Sequence, residues 1–233
     1  MLLVSCGSVN SEPEDALRVL FIGNSLTYAN DLPAMVAAMS VAEEERPLVY
    51  GMVTFPDYSL EDHWNKGTAR DALADGSWDI VVMQQGPSSL PENKELLIRW
   101  TRKFADEARA HGTEPALFTV WPSSSRSFAF PAVINSYAAA ADSVDGLVLP
   151  AGSAWLAAWK RDPTLSLYGP DDFHPSELGS YLCALVIYSV LYDRAPRGLP
   201  TTFKVGEGHT IRVSPGTARL LQDAAAEAIL ESQ

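Results

Sequence analysis

Arg18-Val-Leu-Phe-Ile-Gly-Asn-Ser-Leu-Thr27 passes from an apolar run to a cluster of polar side chains. Val19 to Ile22 is continuously apolar and Gly23 ends the run. Such a run, bounded by a glycine turn, reads as a strand buried on both faces. Asp31-Leu-Pro33 and the spacing of Met35, Val36 and Met39 then read as a helix. Ser25 therefore stands where a buried strand hands over to a helix. At the carboxyl end of a parallel strand, side chains face a crevice rather than the core. A serine there can act as a nucleophile if a base takes its proton. It can equally do no more than cap the next helix.

The second informative stretch lies near the other end, at Asp171-Asp-Phe-His174-Pro-Ser176. One loop there carries a histidine and a carboxylate three positions before it, just ahead of a strongly apolar helix. An imidazole whose tautomer a carboxylate fixes is the partner that a serine nucleophile needs.

Between these stretches the pattern alternates. Apolar strands are expected at Leu48 to Thr54, Asp79 to Gln84, Ala116 to Trp121 and Gly146 to Pro150. Helices are expected at Glu61 to Ala74, Glu92 to Ala110, Phe130 to Val144, Ser153 to Lys160 and Ser176 to Tyr192, with a last one opening at Ser214. Ala195 to Ile211 reads as loop or short irregular strand. Five strands alternating with helices imply one doubly wound α/β domain of the flavodoxin-like kind, with a parallel sheet and right-handed crossovers. Residues 1–16 read as a leader-like or flexible tail and residues 17–233 as the domain.

The 233 residues suffice for a sizeable core. The net charge of -12 argues against a nucleic-acid partner, because phosphate binding needs clustered Lys and Arg. No apolar run is long enough for a transmembrane helix. The two cysteines, Cys6 and Cys183, have no metal-ligand spacing, and neither a metal nor another cofactor is expected. Cys183 reads as a core thiol. Leu3-Val-Ser-Cys6 is similar to the end of a bacterial lipoprotein signal, without the basic and apolar regions such a signal has. If the true start lies upstream, Cys6 is a candidate lipid anchor and the protein belongs at the cell envelope or outside it. Otherwise the expectation is cytoplasmic.

Polar residues cluster after the strands: Ser25 after the first, Asp57, Ser59 and His63 after the second, and Gln84, Gln85 and Ser88 after the third. In this topology they converge with Asp171 and His174 on one edge of the sheet. The tetrahedral intermediate of acyl transfer also needs oxyanion donors. The Ser25 N–H and a side-chain amide of Gln84 or Gln85 are candidates.

With these residues in place the chain resembles the SGNH, or GDSL-type, esterase and lipase superfamily. Gly23-Asn-Ser25-Leu-Thr27 is similar to its nucleophile block, and Asp171-Asp-Phe-His174 to its C-terminal Asp-x-x-His. The resemblance runs from about Arg18 to Tyr192. It implies a three-layer α/β/α sandwich and ester hydrolysis through an acyl-enzyme without a metal, with Ser25 as nucleophile, His174 as base and Asp171 as orienting acid. The middle blocks depart from the family. Asp57 stands where a glycine is expected, and Gly86-Pro-Ser88 has no asparagine where the family's oxyanion donor lies. The chain therefore reads as a divergent esterase acting on an acyl ester, such as an acetyl ester, of a carbohydrate or small molecule. The alternative is a non-catalytic glycan-binding domain on the same scaffold, using Trp121, Trp155 and Trp159, which read otherwise as core. His63 reads as either packed or substrate-facing. Arg126, in the loop after the fourth strand, reads as either solvated or facing an anionic substrate.

Overall fold

The computed structural model describes residues 13, 15–206 and 208–233. Cys6 and the proposed leader lie outside the described residues. In chain order the first elements are β1 (Leu17–Gly23), α1 (Ser25–Tyr28), a 3-10 turn at Ala29–Asp31, α2 (Leu32–Ala42) and β2 (Leu48–Thr54). Next come α3 (Leu60–Lys66), α4 (Thr68–Asp75), β3 (Ile80–Met83), α5 (Pro91–Ala110) and β4 (Glu114–Phe118). A 3-10 segment, Ser124–Ala129, leads into α6 (Phe130–Asp142), β5 (Leu147–Leu149), α7 (Ala151–Arg161) and α8 (Glu177–Tyr192). The hairpin β6 (Thr202–Val205) and β7 (His209–Arg212) precedes α9 (Pro215–Glu231).

The main sheet is parallel, with strand order β2-β1-β3-β4-β5 and helices on both faces. This is the expected three-layer α/β/α sandwich. Central position explains why β1 is apolar from Val19 to Ile22: it pairs with β2 on one side and β3 on the other, and these four residues are all buried. The strand order reverses between β1 and β3, which opens a crevice at their carboxyl ends. Gly23 to Ser25 leaves one strand there and Gln84 to Ser88 leaves the other.

Two elements differ from the sequence expectation. The helix expected over Glu61 to Ala74 is two helices, because Gly67 takes a left-handed φ of +87° and ends α3 where α4 begins. Ala195 to Ile211, read as loop or irregular strand, contains the antiparallel pair β6–β7. Phe203, Val205 and Ile211 bury one face of that pair while Thr202, Lys204, His209 and Arg212 stay exposed. Strands this short carry too few alternations to stand out from a loop.

Candidate active site

Asn24, not Ser25, supplies the helix cap. Its Oδ1 accepts from the Leu26 N–H at 3.1 Å, so Ser25 begins α1 with its hydroxyl uncommitted to capping. Asn24 is tied further into the turn. Its Nδ2 donates to the Tyr58 carbonyl at 3.1 Å, and its N–H donates to Gln84 Oε1 at 2.9 Å. The whole turn thus rests on the loops after β2 and β3.

Gln84 is wholly buried and all four of its side-chain hydrogen bonds are internal. Oε1 accepts from Asn24 N and from Thr27 Oγ1, while Nε2 donates to Asn24 Oδ1 and the Gln85 carbonyl. Both amide hydrogens are spent, so the expectation of Gln84 as an oxyanion donor gives way to a role in locking the Ser25 turn. His63 is corrected in the same way. It is fully buried beneath the turn rather than facing the crevice, and its Nε2 donates to the Gly23 carbonyl at 2.9 Å. Nδ1 has no partner among the described residues, and burial holds the imidazole's pKa below its ordinary value. His63 is therefore a neutral prop against Phe55 and Tyr58.

Ser25, Asp57, Gln85 and Ser88 do line one cleft of about 380 Å³, with Leu96 and Trp100 as apolar wall. Asp57 occupies the position where a glycine is expected and takes a left-handed φ of 60°. Aspartate tolerates that region better than most residues, because its short polar side chain is compatible with it. Among the described residues neither the Ser25 N–H nor the Asp57 N–H has a hydrogen-bond partner. Gln85 Oε1 accepts from Leu60 N at 3.1 Å, and Nε2 spends one hydrogen on Ser88 Oγ at 2.9 Å, leaving one unspent. Ser88 also has a left-handed φ, of 55°, and its hydroxyl donates to the Gly86 carbonyl at 3.0 Å. That hydrogen is not available to a ligand.

Asp171 and His174 are joined as one unit. Asp171 Oδ1 accepts from the N–H groups of Phe173 and His174, at 3.1 and 2.9 Å. Its Oδ2 lies 2.5 Å from His174 Nδ1. The His174 ring hydrogen bond, reinforced by the two backbone donors, pulls the carboxyl pKa down to about 2. The carboxylate is then acceptor only, so the proton between the two groups belongs to Nδ1, and Nε2 is the ring nitrogen that Asp171 leaves unengaged. Asp172, the next carboxylate in the loop, is exposed at a left-handed φ of 60° and, among the described residues, has no hydrogen bond or ion pair with the ring.

Asn30 and Trp121 hold this loop at the crevice, and Tyr137 holds Gln85 there; the sequence reading gave Asn30 and Tyr137 no role. Asn30 Nδ2 donates to the Pro175 carbonyl and to Ser180 Oγ, each at 2.9 Å, which fastens the segment after Ser25 to the segment after His174. Trp121 Nε1 donates to the Phe173 carbonyl at 3.0 Å. Its ring is fully buried and stacks on Trp155 at 3.9 Å, so these two tryptophans are a post under the loop and not an exposed sugar platform. Tyr137 clamps Gln85 from behind, accepting from its N–H at 3.0 Å and donating to its carbonyl at 2.6 Å. A left-handed Asn30, with φ 53°, just past Ser25 and Thr27 is a feature no hydrophobic pattern reveals.

Phe173 lines the same cleft as Ser25. The two end loops thus meet at the crevice. Among the described residues the Ser25 hydroxyl has no protein hydrogen bond, so Ser25 and His174 are not bonded to each other.

No protein-family model matches the sequence, and no curated protein is detectably similar to it. Solved structures do match. A candidate SGNH hydrolase from Slackia heliotrinireducens is 26% identical, with a TM-score of 0.64, over 76% of this chain and 99% of that one. A DUF4886 family protein from Bacteroides uniformis is 20% identical with a TM-score of 0.73, over 93% and 95% of the two chains. A lipase/acylhydrolase from Enterococcus faecalis is 14% identical with a TM-score of 0.62, over 82% and 99%. The chain has the fold of the SGNH hydrolases.

Proposed function

We propose, starting from the SGNH-hydrolase fold, that this chain is a serine esterase in which Ser25 is the nucleophile, His174 the general base and Asp171 the orienting carboxylate. The observation that carries the reading is the Asp171–His174 pair on a loop tied to the Ser25 segment through Asn30. His174 Nε2 takes the Ser25 proton as Oγ attacks the ester carbonyl carbon. The tetrahedral oxyanion is met by the N–H groups of Ser25 and Asp57 and by the unspent hydrogen of Gln85 Nε2. The protonated Nε2 then hands its proton to the departing alcohol, leaving Ser25 acylated. A water, deprotonated by the same nitrogen, releases the acid and restores the serine. Catalytic hydrogen bonds commonly tighten only once substrate is bound, which accommodates the absence of a Ser25–His174 bond.

Asp57 offers its backbone, and not its carboxylate, to the oxyanion. The carboxylate must stay directed away from the developing charge, which restricts the acyl groups that fit beside it. Leu96 and Trp100 leave a small apolar wall in the same cleft, and this favours a short acyl group such as acetyl. The substrate we assign is an acyl ester of a carbohydrate or another small alcohol.

Hydrolysis of 4-nitrophenyl acetate by the full chain tests the reading. Ser25→Ala and His174→Ala should each lower kcat by about a thousandfold or more, because nucleophile and base act as a unit. A fluorophosphonate probe should label Ser25 in the parent and nothing in Ser25→Ala. Retained turnover in the folded Ser25→Ala protein would overturn the assignment.

A further inference from the structure

Beside the Ser25 cleft lies a second one of about 310 Å³. The two share Pro87, Ser88, Asn93 and Phe173, so they are lobes of a single groove. Their charges are opposite. Asp57 and Glu61 line the Ser25 lobe, whereas Arg126 is the one charged residue lining the other. Among the described residues the Arg126 guanidinium has neither an ion pair nor a hydrogen bond, and the Asn93 side-chain amide between the lobes is equally uncommitted. In a chain of net charge -12, an unpaired arginine in the groove is the feature that asks for a ligand. The first turn of the twenty-residue helix α5 also opens beside this lobe, with Leu90 supplying no side-chain cap. Its free N–H groups add to the positive field, which Glu92 of the same turn and the exposed Asp172 partly offset.

The lobe is also held at a fixed place relative to the base. Ser124 N donates to the Asp172 carbonyl at 2.9 Å, Trp121 Nε1 to the Phe173 carbonyl, and Tyr168 OH to the Pro122 carbonyl at 2.7 Å. The segment carrying Arg126 and the loop carrying His174 are therefore one hydrogen-bonded unit. In serine ester hydrolysis the leaving alcohol departs on the side of the base that protonates it.

We infer that the Arg126 lobe is a subsite for a negatively charged group on the alcohol half of the substrate, so that the preferred esters are acyl derivatives of hydroxy acids or other anionic alcohols. The inference rests on the esterase reading for its choice of the alcohol half. Guanidinium pairs with carboxylate, sulfate and phosphate alike through its planar donors. The acidic Ser25 lobe disfavours the opposite orientation, in which the anion would sit beside Asp57 and Glu61.

The experiment compares 4-acetoxybenzoate with neutral 4-acetoxybenzamide, each kcat/KM divided by that ester's rate with hydroxide. The parent protein should favour the anionic ester about five- to tenfold at low salt, a preference that falls as salt is added, as expected of a partly exposed charged contact. Arg126→Ala should bring the ratio near one, and Arg126→Lys should keep part of it. Calorimetric titration with 4-hydroxybenzoate and 4-hydroxybenzamide runs beside it and needs no turnover. Turnover of both esters without charge preference, or a preference that Arg126→Ala leaves intact, overturns the subsite and leaves the esterase reading standing. Binding of 4-hydroxybenzoate that Arg126→Ala abolishes, in a protein that hydrolyses neither ester, supports the subsite and refutes the esterase. Neither turnover nor binding overturns both.

Discussion

Replacing Gly23 by alanine should be one of the most damaging small changes available to this protein, and the structure says why. A Cβ at Gly23 would lie 2.3 Å from Gln84 Oε1 and 2.5 Å from Thr27 Oγ1. Gly23 does not have a left-handed φ, so its backbone accepts alanine and the penalty is one of space. Thr27 can relieve its contact only by turning its hydroxyl away and giving up its hydrogen bond to Gln84 Oε1. Gln84 cannot yield easily, since four hydrogen bonds hold its amide in a fully buried site. Moving Oε1 out by the roughly 0.7 Å needed to reach 3.0 Å stretches its bonds from Asn24 N and Thr27 Oγ1, now 2.9 and 2.8 Å, beyond good geometry. Overpacking costs roughly 1–3 kcal/mol. A buried polar group left unpaired costs about another 1–3. The reduced freedom of the unfolded alanine chain returns roughly 0.5–1. The net loss is about 3 kcal/mol, read as a fall in ΔG of unfolding from urea titration. The decisive measurement is a double-mutant cycle with Gln84→Ala. Removing the amide removes the clash, so the pair should cost about 2 kcal/mol less than the sum of the single changes. Strict additivity, or a loss below about 1 kcal/mol in Gly23→Ala alone, would refute the claim that Gln84 is the fixed neighbour of the Ser25 turn.

Other perturbations probe the remaining contacts. Asn30→Ala removes the bonds to Pro175 and Ser180; it should cost about 1–3 kcal/mol and lower kcat for 4-nitrophenyl acetate more than it raises KM, because it loosens the His174 loop. Tyr137→Phe strands the Gln85 N–H, while the Gln85 carbonyl keeps its bond from Gln84 Nε2, and urea unfolding should report a loss of roughly 1–3 kcal/mol. His63 has its folded pKa held below the ordinary 6.5, so the unfolded chain binds the proton more readily. Its stabilising contribution is complete above pH 6.5 and lost as pH falls through the lower folded value; the urea midpoint should drop over that range in the parent and drop less in His63→Asn. Asp171 has its pKa pulled from 3.8 to about 2, so its contribution is complete above pH 3.8 and lost as pH falls towards 2. Esterase activity measured above pH 4 should accordingly show no ionisation from this carboxylate.

The strand spacing, the parallel sheet and the Asp171–His174 pair were legible because each is a local property. A buried strand in a parallel sheet must be apolar along its length, and a three-residue spacing can place a carboxylate against an imidazole within one loop. The fates of Gln84, Gln85 and His63 were not legible. All three are polar residues that follow or flank strands, and sequence position does not tell a side chain facing a cleft from one turned inward. Packing decides it: Gln84 and His63 are consumed by backbone and side-chain partners across the sheet, while Gln85 keeps one hydrogen unspent.

Sequence alone determined that this chain makes an α/β sandwich with a serine behind its first strand and an Asp–His loop near its end, because strand periodicity and loop chemistry are written over short distances. Tertiary structure alone decided which polar groups are free to act. That choice depends on partners 50 to 150 positions away, such as Tyr137 behind Gln85 and Pro175 under Asn30. A hydrogen bond of that span leaves no periodic trace in the chain, and it exists only once the sheet has brought its strand ends together.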